Sequence, residues 1–169
     1  MIKEHSQGIY EIENFLTEDE LCALLLSASP DGFIESHSGN VVKDLIPESL
    51  ACVPNISDRL LSYFENHQSH TQITNIRRLQ DNQGMSAHTD GGYPNSKQKI
   101  IFGIAIYLND DFLGGEISYP DLGLSIKPQT CSMVIHNAQL LHEVLPVTFG
   151  TRYSLTAFVF GDESTKVRI

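Results

Sequence analysis

The region after about residue 70 constrains the fold of this chain most strongly, because it consists of short apolar segments that alternate with polar residues. Turn-forming residues separate these segments, as expected of strands joined by tight connections. The predicted strands span residues 73–79, 99–108, 116–119, 124–127, 131–135 and 153–160. About six or seven short strands with regular turns predict a mostly β fold, here a double-stranded β-helix, or jelly roll.

The segment 99–109 has two unlike faces, which indicates where a cavity lies. One face is bulky enough to pack under helices, and it carries Ile100, Phe102, Ile104, Ile106 and Leu108. The other face has smaller residues and one tyrosine, namely Ile101, Gly103, Ala105 and Tyr107. We expect the second face to line the inside of the barrel.

The N-terminal part predicts two helices that buttress the barrel. Thr17 and Glu20 form a capping box before an apolar stripe of Leu21, Leu24 and Leu25. A second helix is predicted over 56–64, with Leu60, Leu61 and Phe64 inward and Asn55 or Ser57 as its cap. Residues 29–54 read as a long loop with short elements, and long loops are often functional lids. We expect a single domain over 1–169, with a helical buttress at about 1–70 and the jelly-roll barrel at about 71–162.

Composition excludes some classes of function. The chain has 169 residues and a formal net charge of −10, which argues against a protein that binds the phosphate backbone of nucleic acid. No apolar stretch approaches the length of a membrane span, and the N-terminus has no signal-like apolar region. The three cysteines (Cys22, Cys52 and Cys131) have no metal-ligand spacing, so we expect free, buried thiols in a reducing compartment and a cytoplasmic location. The oligomeric state stays open.

The most specific chemical pattern is His88-Thr89-Asp90 followed by a distant His142. Two histidines and one carboxylate form the facial triad of non-haem Fe(II) oxygenases. Three ligands on one face of an octahedral ion leave three adjacent positions open. A 2-oxo acid can chelate through two of them, and dioxygen can take the third.

Arg152 extends the pattern from a metal site to a reaction class. A buried guanidinium needs a bidentate anionic partner, which the distal carboxylate of 2-oxoglutarate supplies. Tyr107 is a candidate second contact to that carboxylate, and Ser154 and Thr156 share the face of Arg152 by alternation. We expect His136 to have a supporting or surface role only.

The loop around the first ligand is a candidate rim for the primary substrate. Met85 lies before His88, and Tyr93 follows Asp90 after two glycines. Loops beside a rigid site commonly carry substrate contacts, although a plain connecting loop has the same composition.

These residues resemble the Fe(II)- and 2-oxoglutarate-dependent dioxygenases, specifically the prolyl 4-hydroxylase-like branch. The resemblance covers about residues 73–160, and a weaker similarity covers residues 14–20. Its motifs are residues 85–92, 106–109, 114–116, 142–147 and 150–155. The resemblance implies iron bound by His88, Asp90 and His142, and 2-oxoglutarate bound by Arg152 with Tyr107 and Thr156.

The resemblance also implies the reaction, in which oxidative decarboxylation of 2-oxoglutarate by O2 is coupled to C–H hydroxylation, with ascorbate as an optional reductant. One departure concerns a tyrosine that the family often has nine or ten residues before the first ligand. Arg78 and Leu79 stand there instead. An expected cosubstrate contact is therefore missing or replaced.

Several functions fit this sequence. The leading hypothesis is hydroxylation of a peptidyl proline in a peptide or protein substrate, and the second is hydroxylation of a free amino acid or another small molecule. A nucleic-acid demethylase is disfavoured, because Phe158 stands where that branch carries a second arginine on the last strand. A zinc-dependent, non-redox hydrolase and a non-catalytic binding module on the same barrel complete the alternatives, and Arg152 argues against both.

Overall fold

The structure is a computed structural model, and it describes residues 1–28, 34–35, 41–44, 50–65, 69–90, 99–127 and 129–168. The first strands are β1 (Ile2–Ser6), β2 (Ile9–Ile12), β3 (Ile34–Glu35), β4 (Val41–Asp44), β5 (His70–Gln80), β6 (Met85–His88) and β7 (Lys99–Tyr107). The remaining strands are β8 (Leu113–Gly114), β9 (Ile117–Tyr119), β10 (Leu124–Ile126), β11 (Met133–Asn137), β12 (His142–Val144), β13 (Val147–Phe149) and β14 (Thr151–Gly161). The helices are α1 (Glu18–Ser27) and α2 (Cys52–Leu61).

The strands form a large and a small antiparallel sheet. The large sheet has eight strands in the order β1-β2-β11-β7-β14-β5-β4-β3, and the small sheet has four in the order β10-β9-β12-β6. A third pair, β13-β8, lies beside them. The mostly β, jelly-roll fold with N-terminal helices is therefore confirmed.

The long strand β14 organises the large sheet, because it pairs with β5 on one side and with β7 on the other. Arg152 lies opposite Leu79, and Ser154 lies opposite Arg77 of β5 and Tyr107 of β7. This register brings polar residues of three strands to one face of the sheet.

The other face of the large sheet packs against the helices. Phe102, Ile104, Ile106 and Leu108 join the main core together with Leu24 of α1, while Ile56 and Leu60 of α2 complete it. The predicted division of the β7 segment holds for Phe102, Ile106 and Leu108 on the helix side and for Ala105 on the cavity side. It was wrong for two residues, because Ile104 also lines the cavity and Ile101 packs against the main core. Burial of this apolar surface is the main force that holds the helices on the sheet.

Helix α1 begins with the predicted capping box. The Thr17 hydroxyl accepts a hydrogen bond from the Glu20 amide at 3.3 Å, and the Glu20 carboxylate accepts one from the Thr17 amide at 3.0 Å. Glu20 also accepts a hydrogen bond from Arg59 of α2 at 2.6 Å. The prediction for Leu25 was wrong, because it is 37% exposed. Glu20 and Leu24 define the inward stripe, and Leu25 turns a further 100° away from it.

Helix α2 starts earlier than the sequence predicted, and it ends at Leu61, before the predicted end at residue 64. It begins at Cys52, and neither Asn55 nor Ser57 caps it, because its N-cap is Ala51 without a side-chain hydrogen bond. Pro54 lies in the first turn, where a proline costs no backbone hydrogen bond, so it does not mark the end of the loop. Leu60 and Phe64 are buried as predicted, whereas Leu61 is only half-buried.

The loop predicted at 29–54 contains β3, β4 and the start of α2 within its described residues. The rest of the suggested lid lies outside the described residues. The predicted hairpin around residues 116–127 is confirmed as the antiparallel pair β9-β10.

The cysteines are free, but the prediction that they are buried was wrong. Cys22 is exposed, and Cys52 and Cys131 are half-buried. Cys52 and Cys131 pack against the main core without being enclosed by it. Across the described residues, no helix has the length and apolar character needed to cross a membrane.

Candidate metal centre and cosubstrate cavity

The three predicted iron ligands meet at one end of the barrel. His88 ends β6, His142 begins β12, and the two residues are direct partners in the antiparallel ladder. Asp90 follows β6 by two residues, and its Oδ1 lies 3.8 Å from the Nε2 atom of each histidine. The three candidate ligand atoms all lie within 4.8 Å of one another. One ion can therefore reach all three.

Backbone carbonyls orient both imidazoles for metal binding. His88 Nδ1 donates to the Ser86 carbonyl at 2.8 Å, and His142 Nδ1 donates to the Leu140 carbonyl at 3.0 Å. A carbonyl can only accept, so the proton lies on Nδ1 and the lone pair on Nε2 faces the cluster. This second hydrogen bond is the usual device that fixes a metal-binding histidine. Two imidazoles and one carboxylate fit Fe(II) well.

His136 lies beside the cluster and is 3% exposed, so it is not a surface residue. Its Nε2 donates to Asp90 Oδ2 at 2.9 Å, and its Nδ1 accepts from the Tyr119 hydroxyl, 3.2 Å away. The Asp90 amide also donates to the Ala138 carbonyl at 2.9 Å. Asp90 therefore keeps Oδ1 free for an ion while Oδ2 is held.

Gly103 makes room for this arrangement. A Cβ at position 103 would overlap both Asp90 Oδ2 and His136 Nε2. The sequence predicted only that residue 103 faces the cavity. The two neighbours that require glycine here are Asp90, which follows β6, and His136 of β11. Alternation within β7 does not reveal either of them.

Electrostatics keeps the cluster in the form that a metal needs. Burial would raise the pKa of Asp90, but the hydrogen bond from His136 and the surrounding imidazoles outweigh it and lower that pKa. Burial, reinforced by neighbouring His136, lowers the pKa of His142 to about 4. At neutral pH the site therefore offers an ionised carboxylate and a neutral imidazole at His142.

Arg152 lies deeper in the barrel and is 2% exposed. Its Nε donates to the Gly115 carbonyl at 3.1 Å, and its Nη1 donates to the Ser154 hydroxyl at 2.8 Å. Its guanidinium lies 5.1 Å from the centre of the Tyr107 ring. Within the described residues no carboxylate pairs with Arg152, so this buried cation still lacks an anion.

Tyr107 is fully buried, and its hydroxyl proton has no acceptor among the described residues. Burial raises the pKa of this hydroxyl, more than the nearby charge of Arg152 lowers it. A neutral, unpaired O–H next to a cation is suited to donate to a bound carboxylate.

One cavity of about 210 Å³ connects the metal-ligand cluster with Arg152. Its lining includes the three candidate ligands, together with Arg77, Met85, Ile104, Ala105, Ile117, His136, Val144, Arg152, Ser154, Thr156 and Phe158. Tyr107 lies behind Arg152, in an apolar cluster with Ile117 and Tyr119. Tyr93, the other predicted rim residue, lies outside the described residues.

Arg77 is the lining residue that the sequence analysis missed. The family resemblance instead points to Arg78 and Leu79, which lie ten and nine residues before His88. Leu79 packs in an apolar cluster with Phe112 and Val147, so it replaces the family's tyrosine without a polar contact. Counting back by two from Leu79 reaches Arg77 on the same strand face, a signal that was available.

Comparison with known proteins agrees with this geometry. The family model of the 2OG-Fe(II) oxygenase superfamily matches residues 71–160, more than half of the chain. Comparison with curated protein sequences gave no match.

Solved structures share the fold at low sequence identity. The viral collagen prolyl hydroxylase vCPH from Paramecium Bursaria Chlorella virus-1, in its 2OG complex, has a TM-score of 0.76 at 19% identity, covering 92% of this chain and 97% of its own. A Pseudomonas putida prolyl-4-hydroxylase has a TM-score of 0.67 at 17% identity, covering 90% and 91%. A Trichoplax adhaerens prolyl hydroxylase, in complex with a hypoxia inducible factor peptide fragment, has a TM-score of 0.64 at 16% identity, covering 92% and 84%.

The family match covers the strands that carry the metal cluster and Arg152, and the fold agrees along most of the chain. The chain therefore belongs to the 2OG-Fe(II) oxygenase superfamily, and it is a dioxygenase that uses Fe(II) and 2-oxoglutarate.

Proposed function

We propose that this enzyme hydroxylates a proline residue in a peptide or protein. The observation that carries the proposal is a single small cavity that contains a His-Asp-His cluster and a buried, anion-free Arg152. The three structural neighbours described above are prolyl hydroxylases, which supports proline as the target. The net charge of −10 supports the expectation that nucleic acid is not the substrate.

In this proposal His88, Asp90 and His142 hold the iron. When bound there, Fe(II) supplies the redox chemistry that activates dioxygen, and the protein supplies binding and orientation. His136 keeps the Asp90 carboxylate turned so that Oδ1 faces the ion. The hydrogen bonds on both Nδ1 atoms hold the imidazole rings in the required orientation.

Arg152 binds the distal carboxylate of 2-oxoglutarate and so orients the keto acid toward the metal end of the cavity. Ser154 holds one side of the guanidinium and leaves the other side for the ligand. Tyr107 donates its free hydroxyl to the same carboxylate. Thr156 lies one strand repeat beyond Ser154 and completes the polar wall.

The overall reaction balances as follows. One atom of O2 enters the carboxylate of succinate, which forms as 2-oxoglutarate loses CO2. The other atom replaces a C–H hydrogen of the substrate as a hydroxyl group. The apolar walls formed by Ile104, Ile117 and Val144 exclude water from the region where this happens.

A substrate screen tests the proposal. Proline-containing peptides are incubated with the Fe(II)-loaded enzyme, 2-oxoglutarate and ascorbate, and the products are analysed by mass spectrometry. We expect a peptide to gain the mass of one oxygen atom on proline, with succinate formed in equal amount. Succinate formation that no proline peptide stimulates, together with hydroxylation of a free amino acid, would replace the proposal with its runner-up.

A further inference from the structure

Arg77 is a second cation in the cavity, besides Arg152, to which the proposed function assigns the distal carboxylate of the cosubstrate. It comes from β5, opposite Ser154 of β14, so its side chain enters the cavity from the strand next to that of Arg152. Arg78, one residue on, does not line the cavity, as alternation requires.

The guanidinium of Arg77 lacks an anionic partner within the described part of the chain. No ion pair involves it, its Nε is buried without an acceptor, and its Nη1 contacts only the sulfur of Met85. A thioether is a weak acceptor and cannot neutralise a cation. Burial and the positive charge of Arg152 both lower the pKa of Arg77, and the charge of Asp90 raises it only in part. This half-buried cation therefore has no anionic partner within the described part of the chain, and a ligand that enters the cavity can supply one.

The charges in the cavity indicate which anion that is. Asp90 supplies one negative charge, whereas Arg77, Arg152 and a bound Fe(II) supply four positive charges. 2-Oxoglutarate brings two carboxylates, and the proposed function assigns one to the iron and one to Arg152. Among the described residues and these ligands, one positive charge, at Arg77, remains without a counter-charge.

We propose that Arg77 binds a carboxylate of the primary substrate. This inference rests on the proposed function and narrows its substrate to a carboxylate-bearing one. A guanidinium matches the planar, bidentate geometry of a carboxylate, and the small cavity favours a compact anion. The carboxylate has two possible sources, the main-chain carboxyl of a proline at a chain end or an acidic side chain beside an internal proline.

The test compares matched probes that differ by one carboxylate. The protein is loaded with Zn(II) and 2-oxoglutarate, so that no turnover occurs, and binding is followed by calorimetry. The first pair is N-acetyl-L-proline and N-acetyl-L-prolinamide. The second pair is a short peptide with proline followed by glutamate and the same peptide with glutamine. The pair that shows a difference identifies the source of the carboxylate.

We expect the acid of one pair to bind the wild-type protein at least about tenfold more tightly than its neutral partner, as a buried charge-assisted contact would require. Arg77→Gln should abolish that preference and leave the affinity for 2-oxoglutarate within about twofold of wild type. Arg77→Lys keeps the positive charge but lacks the planar, bidentate donor geometry of a guanidinium. It should therefore retain part of the preference for the acid. Arg78→Gln removes the same charge outside the cavity and should retain the full preference, and thermal melts check that each variant folds.

Three results would overturn the inference. The first is equal or undetectable binding of acid and neutral probes by the wild-type protein. The second is a loss of 2-oxoglutarate affinity in Arg77→Gln as large as in an Arg152 variant, which would make Arg77 a cosubstrate ligand. The third is the same loss of preference in Arg78→Gln. Failure of the wild-type protein to bind 2-oxoglutarate at all would instead refute the proposed function itself.

Discussion

The two ends of the cavity differ in how completely their polar groups are satisfied. At the metal end (His88, Asp90, His142 and His136), hydrogen bonds within the chain hold both Nδ1 atoms and Asp90 Oδ2, and only metal-ligand atoms remain free. At the arginine end (Arg77, Arg152 and Tyr107), one guanidinium nitrogen and one hydroxyl are buried without any acceptor in the described part of the chain.

This difference shows what each end requires. The metal end is anionic and pre-oriented, and it lacks a cation. The arginine end is cationic and incompletely satisfied, and it lacks an anion. A dicarboxylate that chelates a metal can supply both needs at once. The five predictions below test this division, first by substitutions from the largest expected effect to the smallest and then by pH.

The largest effect is expected from removing a metal ligand. Asp90→Ala or His88→Ala should abolish turnover and weaken metal binding by more than about 100-fold, beyond the range typical of an outer hydrogen-bond partner. The remaining two ligands cannot hold Fe(II) in a defined position. Metal affinity is measured by anaerobic titration and turnover by succinate formation. Activity close to wild type in either variant would refute the assignment of the metal end.

Substitution of Arg152 should weaken the binding of 2-oxoglutarate and leave metal binding unchanged. Arg152→Ala should weaken 2-oxoglutarate binding by about 2–5 kcal/mol, the usual result when one member of a buried charge pair is truncated. The Michaelis constant for 2-oxoglutarate and the metal content are measured together. Arg152→Lys serves as the matched control, because it keeps the charge and should lose less. Loss of metal along with cosubstrate would mean that Arg152 is structural.

Loss of the hydrogen bond between His136 and Asp90 should reduce metal affinity less than loss of a metal ligand does. His136→Ala should reduce metal affinity by about 10–100-fold, the range seen for such outer partners. Gly103→Ala should lower metal affinity by a similar factor, because the added Cβ would displace the side chains of both Asp90 and His136. Metal titration of the two variants is the measurement. Ala105→Gly, on the same strand face, is the control and should bind metal normally.

Tyr107→Phe should have effects of opposite sign on the free and the bound protein. The metal-free protein should gain stability of about 1 kcal/mol, because a buried hydroxyl without a partner is costly. The affinity for 2-oxoglutarate should fall by about threefold to tenfold, since the bound carboxylate loses one donor. Chemical denaturation and calorimetry measure the two quantities. A loss of stability in the free protein would show that the hydroxyl already has a partner.

The fifth prediction concerns pH. The pKa of His142 is about 4 in the folded protein and about 6.5 in an unfolded chain. Between these values the unfolded chain binds more protons, so the free energy of unfolding rises with pH. His142 therefore contributes full stability above pH of about 6.5, and this is lost as pH falls toward 4. Chemical denaturation of the metal-free protein at several pH values should show a shallower slope for His142→Gln. Equal slopes would contradict the burial of a neutral imidazole.

The sequence predicted the elements whose signals are local. The capping box at Thr17 and Glu20, the alternation in β7 and the cluster of His88, Asp90 and His142 are all readable without tertiary information. Each depends on spacing along one segment, or on a ligand set with a known order.

The features that were missed depend on register between distant strands. Alternation places Arg77 on the strand face of Leu79, but only the pairing of β5 with β14 shows that this face lines the cavity. His136 lies opposite Gly103 of β7, where it contacts Asp90. The requirement for Gly103 arises from those same neighbours. The early start of α2 is a different case, since a proline in the first helical turn looks like a loop residue.

The most direct test of the account is an anaerobic Fe(II) titration of the metal-free protein with and without 2-oxoglutarate. If one molecule bridges the two ends, then each ligand must tighten the binding of the other, because such coupling is reciprocal. We predict tighter Fe(II) binding with 2-oxoglutarate, a visible absorption band that disappears on exposure to air, and loss of the coupling in Arg152→Ala. Equal Fe(II) affinity with and without 2-oxoglutarate, and no band, would contradict the account.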